Sequence, residues 1–181
     1  VNNNRPTGPG PVVRKLAGEE LENIKSVATT LKEKLGLPVF ILNDGKAGAL
    51  WAAVRQNAPG TVALALGTGL AGGYADSELR VRNYLTEMGN IVLSLEEGAL
   101  SHDFSHVPGA AQMYLSQRLA FELAAKAGID LSGITDKAEK LLYLQKLFDE
   151  NDPRVVEIFT KVAVYMAEYI IYLNTILPVN N

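Results

Sequence analysis

The stretch TVALALGTGLAGGYAD, from Thr61 to Asp76, constrains the fold more than any other part of the sequence. An apolar run typical of a buried strand leads into Gly67, Gly69 and Gly72, which are spaced as G-x-G-x-x-G. A dinucleotide-binding fold has this spacing, but it also needs an amphipathic helix that begins at the glycines, because the helix N-terminus holds the pyrophosphate. The sequence after the glycines therefore decides between that fold and another phosphate loop.

The residues after the glycines predict strands rather than a helix. Asp76-Ser77 is typical of a turn, apolar and polar residues alternate from Glu78 to Leu85, and Met88 to Leu95 is a further strand candidate. We therefore expect the glycines to lie between strands of a hairpin, and we reject a nicotinamide-binding function. Glu87, at about the distance of the ribose-binding acid of that fold, does not change this conclusion.

A glycine loop in a hairpin can still bind phosphate. Consecutive backbone N–H groups without obstructing side chains form a concave anion site, and a threonine hydroxyl adds a donor. The Gly67-Thr68-Gly69 segment suits this chemistry. The alternative is a tight turn that simply requires glycine conformations, and the loop alone does not decide between the two.

A second candidate site is Asn43-Asp44, which follows the apolar run from Pro38 to Leu42. That run predicts a buried strand, and the Ala-rich segment from Ala47 to Val54 predicts a helix after it. A carboxylate at the end of a strand faces the crevice where ligands bind in α/β proteins, so Asp44 can act as a general base. Taken alone, however, the pair is more typical of a helix N-cap.

The rest of the sequence is predominantly helical. The N-terminal 12 residues are rich in Asn, Gly and Pro and predict a loop. Spacing and capping residues predict helices at 19–35, 109–127, about 135–149 and 153–176. Asp152-Pro153 is a capping residue followed by proline at the first helical position.

Composition excludes several classes of function. The chain of 181 residues is 48% hydrophobic and 20% charged, as in soluble globular proteins. A net charge of -3 without a basic block argues against a nucleic-acid partner for this segment. The absence of cysteine excludes disulfides and thiolate metal sites and fits a cytoplasmic protein. Charges within the last apolar segment, and the lack of an apolar N-terminal signal, argue against a membrane location.

Several motifs in order resemble the ROK family of sugar kinases and regulators, which has an actin-like ATPase (ribonuclease H-like) fold. The matching segments are LPVFILNDGKAGAL, VALALGTGLAGG and EMGNIVLS, and SHVPGAAQMYLS is similar to the family's zinc segment. The resemblance covers roughly residues 37–119 and implies an α/β fold, mainly the second lobe, with a mixed sheet and flanking helices. Residues 1–44 would be the tail of the first lobe and residues 45–181 the second lobe, with the phosphate-loop hairpin followed by a helical portion.

The resemblance implies a role for each motif. Asp44 would be the base that activates the sugar hydroxyl, with Asn43 and Glu87 as sugar ligands. The Gly67-Thr68-Gly69 loop would hold the phosphates of ATP, with Mg²⁺ neutralising their charge. The implied function is phosphorylation of a hexose or amino sugar by a cytoplasmic homodimer. A regulator or pseudo-kinase that binds sugar without catalysis is the alternative.

Departures from the family pattern concern the zinc site. The zinc-binding histidine corresponds to Asn90, and the cysteines correspond to positions such as Ser105 and Ala110. The glutamate after the last cysteine corresponds to Gln112. We therefore expect no zinc, and we expect Asn90 and Gln112 to hydrogen-bond the sugar instead. His102 and His106 are expected to be surface histidines and not metal ligands.

The sequence also differs from the family pattern in the motifs that it contains. The family's first phosphate motif and its adenosine motif are both missing from the 181 residues, so we expect the sequence to correspond to an internal portion of such a protein. A catalytic protein and a non-catalytic relative both remain open. Three tyrosines at helical spacing are expected in a core or interface, namely Tyr165, Tyr169 and Tyr172. Trp51 is expected to pack, and Lys46 is expected to be solvated more than to face phosphate.

Overall fold

The computed structural model describes residues 18–81, 87–103 and 105–178, so the predicted N-terminal loop lies outside the described residues. Its elements are α1 (Glu19–Lys25), α2 (Val27–Leu35), α3 (Asp44–Gln56), β1 (Thr61–Leu66), β2 (Leu70–Ala75), a 3₁₀ helix (Met88–Asn90), α4 (Ala111–Tyr114), α5 (Gln117–Lys126), α6 (Lys137–Asp149) and α7 (Pro153–Ile176). The predicted α/β class is confirmed, with a two-stranded antiparallel sheet and flanking helices in the described part.

The hairpin of β1 and β2 carries the glycine loop. The strands pair from Thr61 opposite Ala75 to Leu66 opposite Leu70, so residues 67–69 form the connection. The hairpin is as predicted, but its second strand begins at Leu70 and contains Gly72. The predicted strand from Glu78 to Leu85 is wrong over residues 78–80, Val81 forms an isolated antiparallel bridge with Ala75, and residues 82–86 lie outside the described part.

A turn centred on Asp76 replaces that predicted strand. The Asp76 carboxylate accepts hydrogen bonds from the backbone N–H groups of Glu78 at 2.9 Å and Arg80 at 2.8 Å. Leu79 adopts a left-handed conformation with φ of 57°. Residues 78–80 therefore do not form a strand, because the aspartate turns the chain back on itself and brings Val81 opposite Ala75.

Helix α3 packs closely across the hairpin through small residues. Ala49 and Ala53 are fully buried against Ala75 of β2. A Cβ placed on Gly73 would overlap with the carbonyl oxygen of Gly45. This approach explains why glycines, which are normally poor strand formers, occupy the middle of β2.

Two other strand predictions are wrong. Residues 38–42 carry no strand in the described structure, and Phe40 is 82% exposed rather than buried. The segment predicted as a strand from Met88 to Leu95 begins with the 3₁₀ helix, and its described β pairing is an isolated antiparallel bridge between Val92 and Ala110. Trp51, expected to pack, is 68% exposed on α3.

Two predicted helices are interrupted. The helix expected at 19–35 breaks at Ser26, whose hydroxyl donates to the carbonyl of Asn23 at 3.2 Å and competes with the helical pattern. The helix expected at 109–127 is divided into α4 and α5 at Leu115 and Ser116. The Ser116 hydroxyl caps the new helix by accepting from the backbone N–H of Arg118 at 3.4 Å.

Local capping signals predicted the last two helices well. Asp136 caps α6 by accepting from the backbone N–H groups of Ala138 and Glu139. Asp152 caps α7, which begins with Pro153 as predicted. Within the described residues, no helix is long and apolar enough to cross a membrane.

The main core joins α7 to the hairpin and to the 3₁₀ helix. Tyr169 is fully buried there, and its hydroxyl donates to the carbonyl of Met88 at 2.7 Å. Burial raises the pKa of Tyr169 far above its usual range. The core prediction is confirmed for this tyrosine, whereas Tyr172 is 45% exposed and Tyr165 is partly buried against Tyr114.

Candidate functional site

Helix α3 presents Asn43 and Asp44 at its N-terminus. The Asn43 side chain accepts from the backbone N–H of Lys46 at 3.3 Å, so Asn43 is the N-cap. The Asp44 carboxylate is exposed, and one of its oxygens accepts from the backbone N–H of Gly45 at 2.9 Å. A negative charge is electrostatically favoured at this end of a helix, and no described residue donates a hydrogen bond to the second oxygen of Asp44. The helix starts three residues earlier than predicted.

The environment of Lys46 differs from the one predicted. It is 5% exposed on the first turn of α3, although a solvated lysine was expected. Burial lowers its pKa, and the negative charge of Glu87 opposes this change. The Glu87 side chain is exposed and lies just before the 3₁₀ helix. A buried cation therefore acts on the carboxylate that was predicted to bind sugar.

The glycine loop is held by three hydrogen bonds to its carbonyl groups. The Gly67 N–H donates to the Gly69 carbonyl at 2.9 Å across the turn. The first N–H of α5, from Gln117, donates to the Gly67 carbonyl at 3.1 Å. The Arg118 guanidinium donates through Nε to the Thr68 carbonyl at 3.2 Å. All three carbonyls of the loop are thus engaged within the protein.

The amide N–H groups of the glycine loop differ from its carbonyl groups in their hydrogen bonding. In the described part of the chain, the N–H groups of Thr68 and Gly69 donate to no acceptor. Two adjacent donors of this kind can hold an anionic oxygen. The loop therefore presents two adjacent donors, which is the arrangement that an anion site needs.

Asn90 and Gln112 come into direct contact. Gln112 Nε2 donates to Asn90 Oδ1 at 2.7 Å, and the Ser105 hydroxyl approaches the same oxygen at 3.4 Å. His102 Nδ1 lies 2.9 Å from that hydroxyl and accepts from the backbone N–H of Ser105 at 3.1 Å. Side chains at positions that resemble a zinc site are therefore joined by hydrogen bonds.

Gln112 also connects this network to the glycine loop. A Cβ placed on Gly69 would lie 3.4 Å from Gln112 Oε1. On the other side, a Cβ placed on Gly89 would lie 3.1 Å from the Gln112 Cβ and 2.5 Å from the Leu70 carbonyl oxygen. Absent side chains at both glycines thus allow Gln112 to lie close to the glycine loop and to the 3₁₀ helix.

Strand β2 brings the motifs together, but not every predicted residue makes contact. The Asn43-Asp44 end of α3 packs on Gly72 and Gly73, farther along the same strand. Within the described ranges, neither the Asp44 nor the Glu87 carboxylate hydrogen-bonds another predicted site residue. Both carboxylates are exposed, as a substrate-binding role requires.

Arg118 was missed in the sequence because no break was predicted between α4 and α5. A continuous helix at 109–127 would not place the N-terminus of α5 at the glycine loop. The usable signal was Ser116, a typical N-cap residue, directly before Gln117 and Arg118.

No group of three or more potential metal-ligating side chains occurs among the residues that the structure describes. His102 is instead engaged with Ser105. Its pKa is lowered by burial and by the positive charge of Arg118, with the Asp103 carboxylate acting in the opposite direction.

Solved structures share this architecture. A ROK hexokinase from Thermus thermophilus is 24% identical, with a TM-score of 0.62 over 78% of this chain and 46% of its own. A ROK family glucokinase from Streptomyces griseus, in complex with glucose and AMPPNP, is 21% identical, with a TM-score of 0.62 over 85% of this chain and 54% of its own. The chain has the fold of ROK proteins.

The same fold occurs in a regulator. A ROK family transcriptional regulator, a homolog of the E. coli MLC protein, is 19% identical, with a TM-score of 0.66 over 85% of this chain and 40% of its own. The predicted actin-like ATPase fold is therefore confirmed, and the chain spans about half the length of these structures. No protein-family model and no curated protein sequence matches the chain.

Proposed function

We propose that the protein is an ATP-dependent sugar kinase that phosphorylates a hydroxyl group of a hexose or amino sugar. The observation that carries the proposal is the pair of unengaged N–H groups at Thr68 and Gly69, in a loop whose carbonyl groups are all engaged. The ROK hexokinase and glucokinase folds support a sugar substrate. The glucokinase complex with AMPPNP supports ATP as the phosphoryl donor.

Asp44 is the proposed general base. Its exposed carboxylate takes the proton of the sugar hydroxyl while that oxygen forms a bond to the γ-phosphorus of ATP. The bond between the γ-phosphorus and the bridging oxygen breaks, and ADP leaves. The hydrogen bond from the Gly45 N–H holds one carboxylate oxygen, so the other is the one that accepts the proton.

The proposed sugar ligands combine carboxylate and amide groups. Asn43 directly precedes the base, Glu87 lies just before the 3₁₀ helix, and Asn90 and Gln112 supply an acceptor and donors from their mutual hydrogen-bonded pair. Amides hydrogen-bond hydroxyl groups in both directions, whereas carboxylates only accept. Lys46 is buried on the first turn of α3, and the negative charge of Glu87 counters the burial that lowers the pKa of Lys46.

The proposed cofactor is Mg²⁺ bound to ATP, which neutralises charge on the phosphates. Mg²⁺ usually keeps several water ligands and needs only one or two protein carboxylates in addition to substrate phosphates. The residues of the described loop fit the phosphates through backbone N–H groups. We propose no zinc, because hydrogen-bonding side chains stand at Asn90, Ser105 and Gln112.

We also propose the organisation that the resemblance implied. Residues 1–44 would be the tail of a first lobe, residues 45–181 the second lobe, and the protein a cytoplasmic homodimer. Large exposed apolar side chains on α3 and on the segment before it support a covering lobe. They include Phe40, Leu42, Trp51 and Val54, which are between 43% and 82% exposed.

A sugar-binding regulator is the second candidate. The transcriptional regulator with the same fold favours it, as do the two neutral amides of Asn90 and Gln112. Such a protein would bind sugar through the same residues without phosphoryl transfer.

One experiment separates the candidates. The full-length protein is incubated with ATP, Mg²⁺ and a panel of hexoses and N-acetylhexosamines, and ADP release and the melting temperature are both recorded. A kinase releases ADP with one sugar class. A regulator shows a sugar-dependent rise in melting temperature without ADP release. Neither effect with any sugar would overturn both candidates.

A further inference from the structure

Arg118 makes two charge-assisted contacts that connect the glycine loop to a neighbouring segment. Its Nε donates to the Thr68 carbonyl at 3.2 Å, and its Nη1 donates to the Asp103 carboxylate at 2.6 Å. The side chain of Arg118 is 36% exposed, and that of Asp103 is 75% exposed. The guanidinium is therefore fixed by an anion on one side and holds a backbone carbonyl on the other.

The contact between Arg118 and the Thr68 carbonyl also fixes the direction of neighbouring N–H groups, because the peptide bond is planar. In a planar trans peptide the C=O of one residue and the N–H of the next point in opposite directions. The structure has no cis peptide bond among its described residues. Because the Thr68 carbonyl faces Arg118, the Gly69 N–H points away from α5. The Gly67 carbonyl faces the N–H of Gln117, so the Thr68 N–H points the same way.

A loop that contains glycine needs a contact of this kind to keep its peptide groups in one orientation. A peptide between Thr68 and Gly69 can rotate at low cost, because glycine populates conformations that other residues avoid. Without a partner for the Thr68 carbonyl, the peptide could turn its carbonyl oxygen towards an incoming phosphate and repel it. One rigid donor on the α5 side prevents this, and the planar guanidinium of arginine provides it.

We propose that Arg118 is a positioning residue of the phosphate loop. Its guanidinium fixes the Thr68 carbonyl on the α5 side, so that the N–H groups of the loop are presented to the phosphates of the nucleotide. Asp103 holds Arg118 in that position. This inference rests on the proposed function, because it assumes that the loop binds ATP phosphates.

The test compares a ligand that has phosphates with one that lacks them. Dissociation constants for AMPPNP with Mg²⁺ and for adenosine are measured on the full-length protein and on Arg118→Ala. We expect the variant to bind AMPPNP about tenfold more weakly, as for loss of one hydrogen bond from a charged donor, and to bind adenosine unchanged. A merely structural role would weaken both ligands together.

Two further variants complete the design. Arg154→Ala removes a comparable exposed ion pair, with Asp152, far from the loop in sequence, and should leave both constants unchanged. Asp103→Asn keeps the fold, because its side chain is largely exposed, and should weaken AMPPNP binding less than Arg118→Ala does. If Arg118→Ala does not fold, the Asp103→Asn result decides.

The outcomes are distinct. Selective weakening of AMPPNP supports the inference. Unchanged AMPPNP binding in the variants, with tight binding by the wild type, overturns the role of Arg118 and leaves the proposed function intact. No AMPPNP binding by the folded wild type overturns the proposed function, and the inference with it.

Discussion

Gly73 in β2 lies so close to Gly45 in α3 that neither position has room for a side chain. A Cβ on Gly73 would overlap with the Gly45 carbonyl oxygen, and a Cβ on Gly45 would lie 2.6 Å from the carbonyl carbon of Gly72. This contact fixes the first turn of α3 on the hairpin. It thereby positions Asn43 and Asp44 relative to the strand that leads into the glycine loop.

The first prediction compares two glycines of one helix. Gly45→Ala should destabilise the protein by roughly 1–3 kcal/mol, because the added methyl group meets backbone that cannot move aside easily. Gly48, three residues later, has open space around its Cβ position. Gly48→Ala should stabilise by about 0.5–1 kcal/mol through helix propensity. Urea unfolding of both variants tests this, and equal effects would contradict the close packing.

The second prediction concerns the buried Tyr169 hydroxyl. Tyr169→Phe leaves the Met88 carbonyl without this donor, so the free energy of unfolding should fall by about 1–3 kcal/mol. Tyr172→Phe is the matched control, since its side chain is 45% exposed and the change should stay within about 0.5 kcal/mol. Thermal unfolding of the two variants decides. Equal losses would show that the hydroxyl–carbonyl contact contributes nothing.

The third prediction concerns the pair formed by Asn90 and Gln112. A double-mutant cycle with Asn90→Ala and Gln112→Ala should give a coupling energy of about 0.5–1.5 kcal/mol, typical of a neutral hydrogen bond. The measurement is the free energy of unfolding of the two single variants and the double variant. Strictly additive effects would mean that the two amides act independently.

The fourth prediction concerns pH. Burial and the charge of Arg118 lower the pKa of His102 below its ordinary value of about 6.5. The folded state therefore binds a proton less readily than the unfolded state, and stability rises with pH in this window. The stabilisation is present above about pH 6.5 and is lost as the pH falls below it.

His102→Gln should therefore flatten the decline in melting temperature between about pH 7 and pH 5. His106, which is exposed and has no imidazole contact to Ser105, provides the comparison through His106→Gln. If the His106 variant flattens the profile and the His102 variant does not, the assignment is wrong.

Sequence reasoning succeeded where the signal was local. Asp152 and Pro153 predicted the start of α7, because a cap acts within three residues of itself, and α6 begins within two residues of the predicted start at about 135. It failed where tertiary contacts determine the local structure. The glycine-rich β2 has a composition unfavourable for a strand and forms one where α3 approaches it closely, whereas residues 78–80 alternate like a strand and form a turn.

The residues of the candidate site were likewise predicted where the signal was local and missed where it depended on tertiary contacts. The Asn43-Asp44 pair and the Gly67-Thr68-Gly69 loop were found from short patterns that carry their own chemistry. The hydrogen bond between Asn90 and Gln112 was not foreseen, because it joins residues 22 positions apart. Burial of Lys46 depends on the packing of α3 against β2, which no local pattern encodes.

The central claim is that Asp44 activates the sugar hydroxyl in an ATP-dependent kinase. Asp44→Asn retains a side-chain oxygen that can accept from the Gly45 N–H but removes the base, so the fold should be kept. The most direct measurement is the steady-state rate of sugar-dependent ADP release by the full-length protein and by this variant. The account predicts that kcat falls by about 10²–10⁴-fold while the KM values for sugar and ATP stay within a few-fold. A kcat for Asp44→Asn close to that of the wild type would contradict it.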